Sequence, residues 1–239
     1  MAIVVLGAGG GLGRAITQEL KKQFPEQRIM ALSRQAVEPC NSGQITYCQI
    51  ADYDENSLND WVSDFKQSDE KLTGVISTIG MLHDDETFPE KKLSDITADN
   101  LTKLFSVNAV KPLLILKSFL PILDRKNTHF WVQLSAKVGS IEDNYLGGWY
   151  AYRSSKAALN MLLKTASIEL KRTHKSLAVA AIHPGTTDTR LSAPFQERIS
   201  ADKLYSPELS AERIVAVVKN LKPEQSGNLW HWDGSRLPF

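Results

Sequence analysis

Short, continuously apolar runs alternate along the chain with longer stretches whose apolar residues recur every three or four positions. The first run, AIVVL at residues 2–6, passes at once into glycines. Residues 12–23 then place Leu12, Ala15, Ile16 and Leu20 on one helical face. Further buried strands are predicted at 28–32 (RIMAL), 45–49 (ITYCQ), 74–78 (GVIST), 128–134 and 176–182, with a last one at 229–232. Asn56 is placed to cap a helix carrying Leu58, Trp61, Val62 and Phe65. Longer helices are predicted over 101–120, with Pro112 inside, over 150–172 and over 209–221. Strands separated by helices imply an α/β fold: a single doubly wound (Rossmann) parallel sheet of about seven strands with helices on both faces. The stretch 186–207 is polar, holds Pro194 and Pro207, and is long for a connection, which reads as a substrate lid. Neither it nor the acidic stretch 83–95 resembles an interdomain linker, so residues 1–239 are read as one domain.

Composition narrows the function classes. A chain of 239 residues, 42% hydrophobic and 23% charged, can bury a sizeable core. A net charge of +1 supplies no long-range field for nucleic acid or an anionic membrane. The start MAIVVLGAGGG lacks the basic opening of a signal peptide, and no apolar run approaches the ~20 residues of a membrane span. No nucleic-acid partner, no membrane association and a cytoplasmic location are therefore expected. Cys40 and Cys48 fit neither a disulfide framework nor a zinc site and read as two thiols. His83, His129, His174 and His231 fit no metal spacing, so no metal is expected.

Two local patterns carry chemistry. Gly7-Ala8-Gly9-Gly10-Gly11-Leu12-Gly13 joins the first strand to the first helix. Glycines allow a sharp turn and a close approach of a pyrophosphate to the helix N-terminus, where free N–H groups and the dipole favour negative charge. No Gly-Lys-Ser/Thr follows, which disfavours a P-loop. Among the six tyrosines, only Tyr152 has a lysine, Lys156, four residues on. That spacing puts both on one helix face. An unperturbed tyrosine has a pKa of about 10, and a nearby ammonium is expected to lower it toward the range useful for proton transfer.

With these two patterns in place, the chain resembles the short-chain dehydrogenase/reductase family, whose loop reads Thr-Gly-x-x-x-Gly-x-Gly and whose helix carries Tyr-x-x-x-Lys. Gly7, Gly11 and Gly13 fill the glycine positions around Leu12, while Leu6 stands where the family has threonine. The end of the second strand meets the adenosine ribose in such folds. Here it holds Ser33-Arg34 with no acid until Glu38, a fork and a hydroxyl suited to a 2′-phosphate, so NADP(H) is expected. By position, the resemblance implies cofactor contacts at Ile50, at Ile79 and Gly80, and at Pro184, Gly185, Thr187 and Thr189, besides Tyr152 and Lys156. The family's Asn-Asn-Ala-Gly appears as Ser77-Thr78-Ile79-Gly80. Asn108 matches the family asparagine that bends its helix and supports a proton relay to the lysine.

Ser135 is the candidate third catalytic residue, but its register is one short. The family serine lies three residues before a glycine, and counting back from Gly139 gives Ala136. Adjacent strand residues face opposite ways, so Ser135 is expected to point away. Ser140 is a candidate local substitute. The stretch 139–153 and the C-terminal WDGSRLPF resemble the subgroup that holds the C-factor signalling protein and sniffer-type carbonyl reductases. The resemblance implies an NADP(H)-dependent oxidoreductase reducing a small carbonyl compound, or oxidising the alcohol, and a homodimer or homotetramer built on the 101–120 and 150–172 helices. The alternative is a nucleotide-binding signalling or regulatory protein with weakened or lost catalysis, a reading that Ala136 and the altered 77–80 segment support.

Overall fold

The computed structural model describes residues 1–36 and 43–239, apart from the side chain of Arg198. Cys40 and Glu38 lie outside the described residues. β1 (Ala2–Leu6) is buried along its whole length because it runs through the middle of the sheet. Its side chains alternate: Ala2, Val4 and Leu6 enter one core, Ile3 and Val5 the other. β2 (Arg28–Ser33) lies parallel on one side of β1, and β4 (Leu72–Ser77) lies parallel on the other.

Among the described residues, the sheet has eight strands in the order β10-β9-β6-β5-β4-β1-β2-β3. β3 (Ile45–Gln49), β5 (Phe130–Leu134), β6 (Ala178–His183) and β9 (Asn228–His231) continue the parallel pairing, and β10 (Arg236–Leu237) adds an antiparallel edge. That edge strand is one more than the pattern predicts. α1 (Gly11–Gln23) and α6 (Pro207–Asn220) cover one face through Ile16, Leu20, Ile214 and Val218. α2 (Glu55–Gln67), α4 (Lys111–Phe119) and α5 (Tyr150–Leu170) cover the other through Leu58, Phe65, Phe119 and Leu163. Strand order reverses between β1 and β4, which opens a crevice at their carboxyl ends.

Several predicted boundaries shift for local reasons. Asp54, not Asn56, caps α2, its carboxylate accepting the Ser57 N–H at 2.7 Å. Ser206 caps α6 by accepting the Leu209 N–H at 3.1 Å, and Pro207 opens that helix, so it starts before the predicted residue 209. The predicted helix over 101–120 is divided: α3 (Ala98–Phe105), a wide π turn at Ser106–Val110, then α4. Pro112 has no N–H to offer the Asn108 carbonyl four residues earlier, which accounts for the widening there. Contrary to the sequence expectation, the continuous helical stretch Ala98–Ile122 is long and apolar enough, by length and composition, to meet a membrane-span criterion. In the fold this stretch carries part of the sheet-covering layer through Ile115, Leu116 and Phe119. The stretch 186–207 is not structureless. β7 (Thr186–Thr187) pairs with β8 (Leu204–Tyr205), with short 3-10 turns at Ala193–Arg198 and Ala201–Lys203 between them. Val110, Met161 and Ile168 are exposed on the helices named above for a second copy.

Candidate active site

The glycine loop leaves the end of β1 at the crevice. Gly7 has φ +81°, and a Cβ there would collide with the Thr78 hydroxyl. A Cβ on Gly9 would strike the Ser33 hydroxyl, and one on Gly13 the Gly7 carbonyl. The first N–H groups of α1 thus stand behind a surface of bare backbone, which fits the pyrophosphate of a dinucleotide. Two side chains that the sequence reading missed hold this cradle. The Thr78 hydroxyl donates to the carbonyl of Leu6 at 3.1 Å, or to that of Gly7 at 3.2 Å. The Tyr53 hydroxyl donates to the Leu32 carbonyl at 2.7 Å and accepts the Gly7 N–H at 2.8 Å. Burial pushes its pKa up to about 12, so it stays a donor. The cradle is therefore tied by hydroxyls from the residue after β4 and from the β3–α2 connection, although Leu6 carries none.

At the adenosine end, Ser33 is buried beside Gly9, and its hydroxyl accepts the Gln35 N–H at 3.2 Å. Ile50 is buried and donates its N–H to the Ser33 carbonyl at 2.9 Å. Arg34 is exposed, and the Asp52 carboxylate lies 3.9 Å from its guanidinium. An acid therefore does reach this corner from beyond β3, although none follows Arg34 directly in sequence. Lys111 donates to both Asp52 oxygens at 3.1 Å and shares that charge. Thr189 packs against Gly11, its Cγ2 3.5 Å from where a Cβ on Gly11 would be. Pro184 and Gly185 follow β6, and Gly185, at φ +78°, passes under Tyr205 and Trp232. Thr187 is buried, its hydroxyl 2.8 Å from that of Ser210. Its carbonyl takes the Ser192 hydroxyl at 2.6 Å, so it anchors the 186–207 segment. His183, half-buried at the end of β6, has its pKa pushed down to about 3 by desolvation, with His231 and Lys137 adding to the effect.

Tyr152 and Lys156 are both buried on the first two turns of α5. Lys156 Nζ donates to the Leu134 carbonyl at 3.2 Å and lies 5.8 Å from the centre of the Tyr152 ring. Gly80 faces this ammonium: a Cβ there would be 3.2 Å from Lys156 Nζ and 3.4 Å from Asn108 Oδ1. Asn108 is fully buried, accepts the Met81 N–H at 2.8 Å, and donates to the Met81 carbonyl at 2.8 Å and to Ser155 Oγ at 3.1 Å. Ile79 sits beside it, its carbonyl bonded by Gln133 at 2.9 Å. Tyr152, Lys156, Asn108 and Gly80 thus meet at the crevice. The Tyr152 hydroxyl makes no hydrogen bond with a described residue and keeps some solvent exposure. The expected fall in its pKa does not occur. Burial pushes the Tyr152 hydroxyl up and lowers Lys156 to about 8, because desolvation penalises both charged forms.

Ser135 does not join them. Its hydroxyl donates to Asn160 Oδ1 at 2.7 Å, behind Lys156 on α5. Ser140 is occupied as well, accepting the Asp143 N–H at 3.1 Å. Ala136 takes the place beside the tyrosine, in one apolar cluster with Leu82, Leu104, Ala151 and Tyr152, to which Met81, Val138, Trp149 and Phe195 pack. Among the described residues, no group of three His, Cys, Asp or Glu side chains could hold a metal.

Comparisons with known proteins bear on the family and the fold. A family model described as "short chain dehydrogenase" matches residues 1–200. The C-signal protein of Myxococcus xanthus is 29% identical over 147 residues, 62% of this chain and 83% of that one. The chain spans about half the length of several uncharacterized yeast oxidoreductases that it also matches. Among solved structures, the carbonyl reductase Sniffer of D. melanogaster superposes with a TM-score of 0.86 at 22% identity, covering 100% of this chain and 99% of that one. An NADPH-bound carbonyl reductase from chicken fatty liver reaches 0.83 at 22% identity, with 100% and 98% covered.

Proposed function

The chain belongs to the short-chain dehydrogenase/reductase family, and from that premise we propose that it reduces a small apolar or aromatic carbonyl compound, or oxidises the matching alcohol, using NADP(H). The observation that carries this reading is the meeting of Lys156 and Asn108 at Gly80, with the Tyr152 ring 5.8 Å from Lys156 Nζ, at the point where strand order reverses. A nicotinamide cofactor held on the glycine cradle supplies the hydride. The chain's own part is to place the substrate and move a proton. Met81, Leu82, Val138, Trp149 and Phe195 give the cleft an apolar wall. The raised pKa of Tyr152 keeps its hydroxyl protonated, the form that gives a proton to a carbonyl oxygen. The Lys156 ammonium stabilises the phenolate that this leaves. Asn108 is a positioning residue: its side chain fixes Met81 and Gly80 against Lys156.

The lysine sets a pH dependence. Below about 8, Lys156 is charged and supports the phenolate; above it, that support is lost. The turnover number for reducing benzil, an aromatic diketone, is expected to fall as pH rises through this range. In Lys156→Arg the charge persists to far higher pH, so the fall should disappear. A fall of the same midpoint in that variant would remove the lysine from the explanation.

Cofactor choice rests on Arg34 and Ser33. Arg34→Ala is expected to weaken NADPH about tenfold and leave NADH within about twofold, as loss of one phosphate-binding fork predicts. Fluorescence titration of both cofactors reads this, and equal weakening of the two would exclude a 2′-phosphate site at Arg34.

A second reading has specific support. Ala136 removes a hydroxyl that the family uses, and the C-signal protein is a relative. In that case the chain binds the nucleotide and signals with little turnover. Wild type that binds NADPH but reduces no member of a carbonyl panel would favour it.

A further inference from the structure

Glu90 lies in the connection between β4 and α3 and takes no part in the chemistry above. It is nevertheless 3% exposed. Its carboxylate reaches the start of α5, where Oε2 accepts the Ala151 N–H at 3.1 Å. Its own carbonyl accepts the Trp149 N–H at 2.6 Å. Gly148 packs against the same carbonyl and that of Lys91.

The start of α5 needs such support. Trp149, the residue before the helix, has φ 54° and ψ 43°, the left-handed region that a bulky side chain rarely adopts. It offers no side-chain cap, and the first turn of α5 holds no acidic residue. The Ala151 N–H, one of the orphan groups at the positive pole of this 21-residue helix, therefore receives its acceptor from a residue 61 positions upstream. The constrained tryptophan is also part of the cleft. Its ring stands edge-on to Tyr152 at 6.1 Å and packs on Phe195 of the 186–207 segment at 5.1 Å. The second carboxylate oxygen, Oε1, is sealed without a partner, so the group is committed to this one contact.

We propose that Glu90 is a positioning residue whose carboxylate and carbonyl clamp Trp149 and Ala151, and through them fix the Tyr152 hydroxyl and the Trp149 wall at the substrate cleft. The proposal rests on the reductase reading above. A small misplacement of a reacting group far from the chemistry can cost up to ~10²-fold in rate.

The test compares Glu90→Ala and Glu90→Gln with wild type, using NADPH and benzil. Glu90→Ala is expected to lower the turnover number about tenfold, with the NADPH dissociation constant within about twofold. Glu90→Gln keeps an oxygen for the Ala151 N–H and should recover to within about threefold of wild type. Unchanged turnover in Glu90→Ala would overturn the clamp. So would a parallel loss of NADPH binding, or a Glu90→Gln variant as slow as Glu90→Ala. If wild type reduces no carbonyl, the reductase reading fails and amide exchange decides the clamp. Faster exchange at Trp149 and Ala151 in Glu90→Ala, with Leu159 unchanged and glutamine restoring protection, upholds it; unaltered exchange at Trp149 and Ala151 overturns it.

Discussion

Tyr152→Phe is expected to lower the turnover number for NADPH-dependent carbonyl reduction by about 10²–10⁴, the range a general acid contributes, while NADPH binds as before. The side chain is buried between Trp149, Ala151 and Ala136, and phenylalanine fills the same volume. The hydroxyl makes no hydrogen bond within the described residues, so its removal strands no buried partner. Fold and melting temperature should therefore be unaltered, and the loss falls on chemistry alone. The glycine cradle is a separate part of the crevice, which is why binding persists. Stopped-flow reduction with benzil and a parallel NADPH titration separate the two quantities. A Tyr152→Phe enzyme that still turns over at the wild-type rate would sink the acid role and with it the proposed reaction. A wild type already fast, silenced by this one change, would instead exclude the signalling-only reading.

Much of the fold was legible because buried parallel strands announce themselves. AIVVL and ITYCQ are read at the bounds of β1 and β3, since each is a continuous apolar or β-prone run between turn residues. The two-residue strands β7, β8 and β10 are too short to carry a period, so no window could find them. The π turn was half visible: Pro112 and Asn108 stand four apart, but which backbone groups rearrange is settled by the packing of Asn108 on Met81 and Ser155. Likewise, Tyr152 and Lys156 follow from spacing, whereas Tyr53 does not. It reaches Gly7 across 46 residues, and nothing around it in sequence marks that contact. Glu90 is hidden for the same reason, as a cap supplied from a distant connection. The direction of the Tyr152 shift was misjudged because spacing reports the nearby ammonium but not the depth of burial, and burial dominates.

The serine question turns on which face of the strand end carries the hydroxyl. Ser135 and Ala136 are adjacent, and the extended backbone at Ala136, φ −146° and ψ 145°, sends them to opposite sides. Ser135 goes to Asn160; Ala136 goes to the cluster around Tyr152. Ala136→Ser would place one hydroxyl beside the tyrosine, where it could hold the substrate oxygen during proton transfer. Removing a comparable donor from an enzyme costs about 10²–10³ in rate. Adding one without evolved support should recover part of that, and a rise of about tenfold or more in turnover number is expected, with little change in the Michaelis constant. The change also carries a cost. Ala136 is buried among Leu82, Leu104 and Ala151, and a hydroxyl without a partner there costs about 1–3 kcal/mol. A modest drop in melting temperature should accompany the gain, and partial recovery of that drop with a bound carbonyl compound would place the new hydroxyl on the ligand. Unchanged turnover with a lowered melting temperature would mean that the cleft orients its substrate without a hydroxyl at this position. A faster variant would mean that the natural chain holds its chemistry back by one oxygen atom, at a site otherwise built to use it.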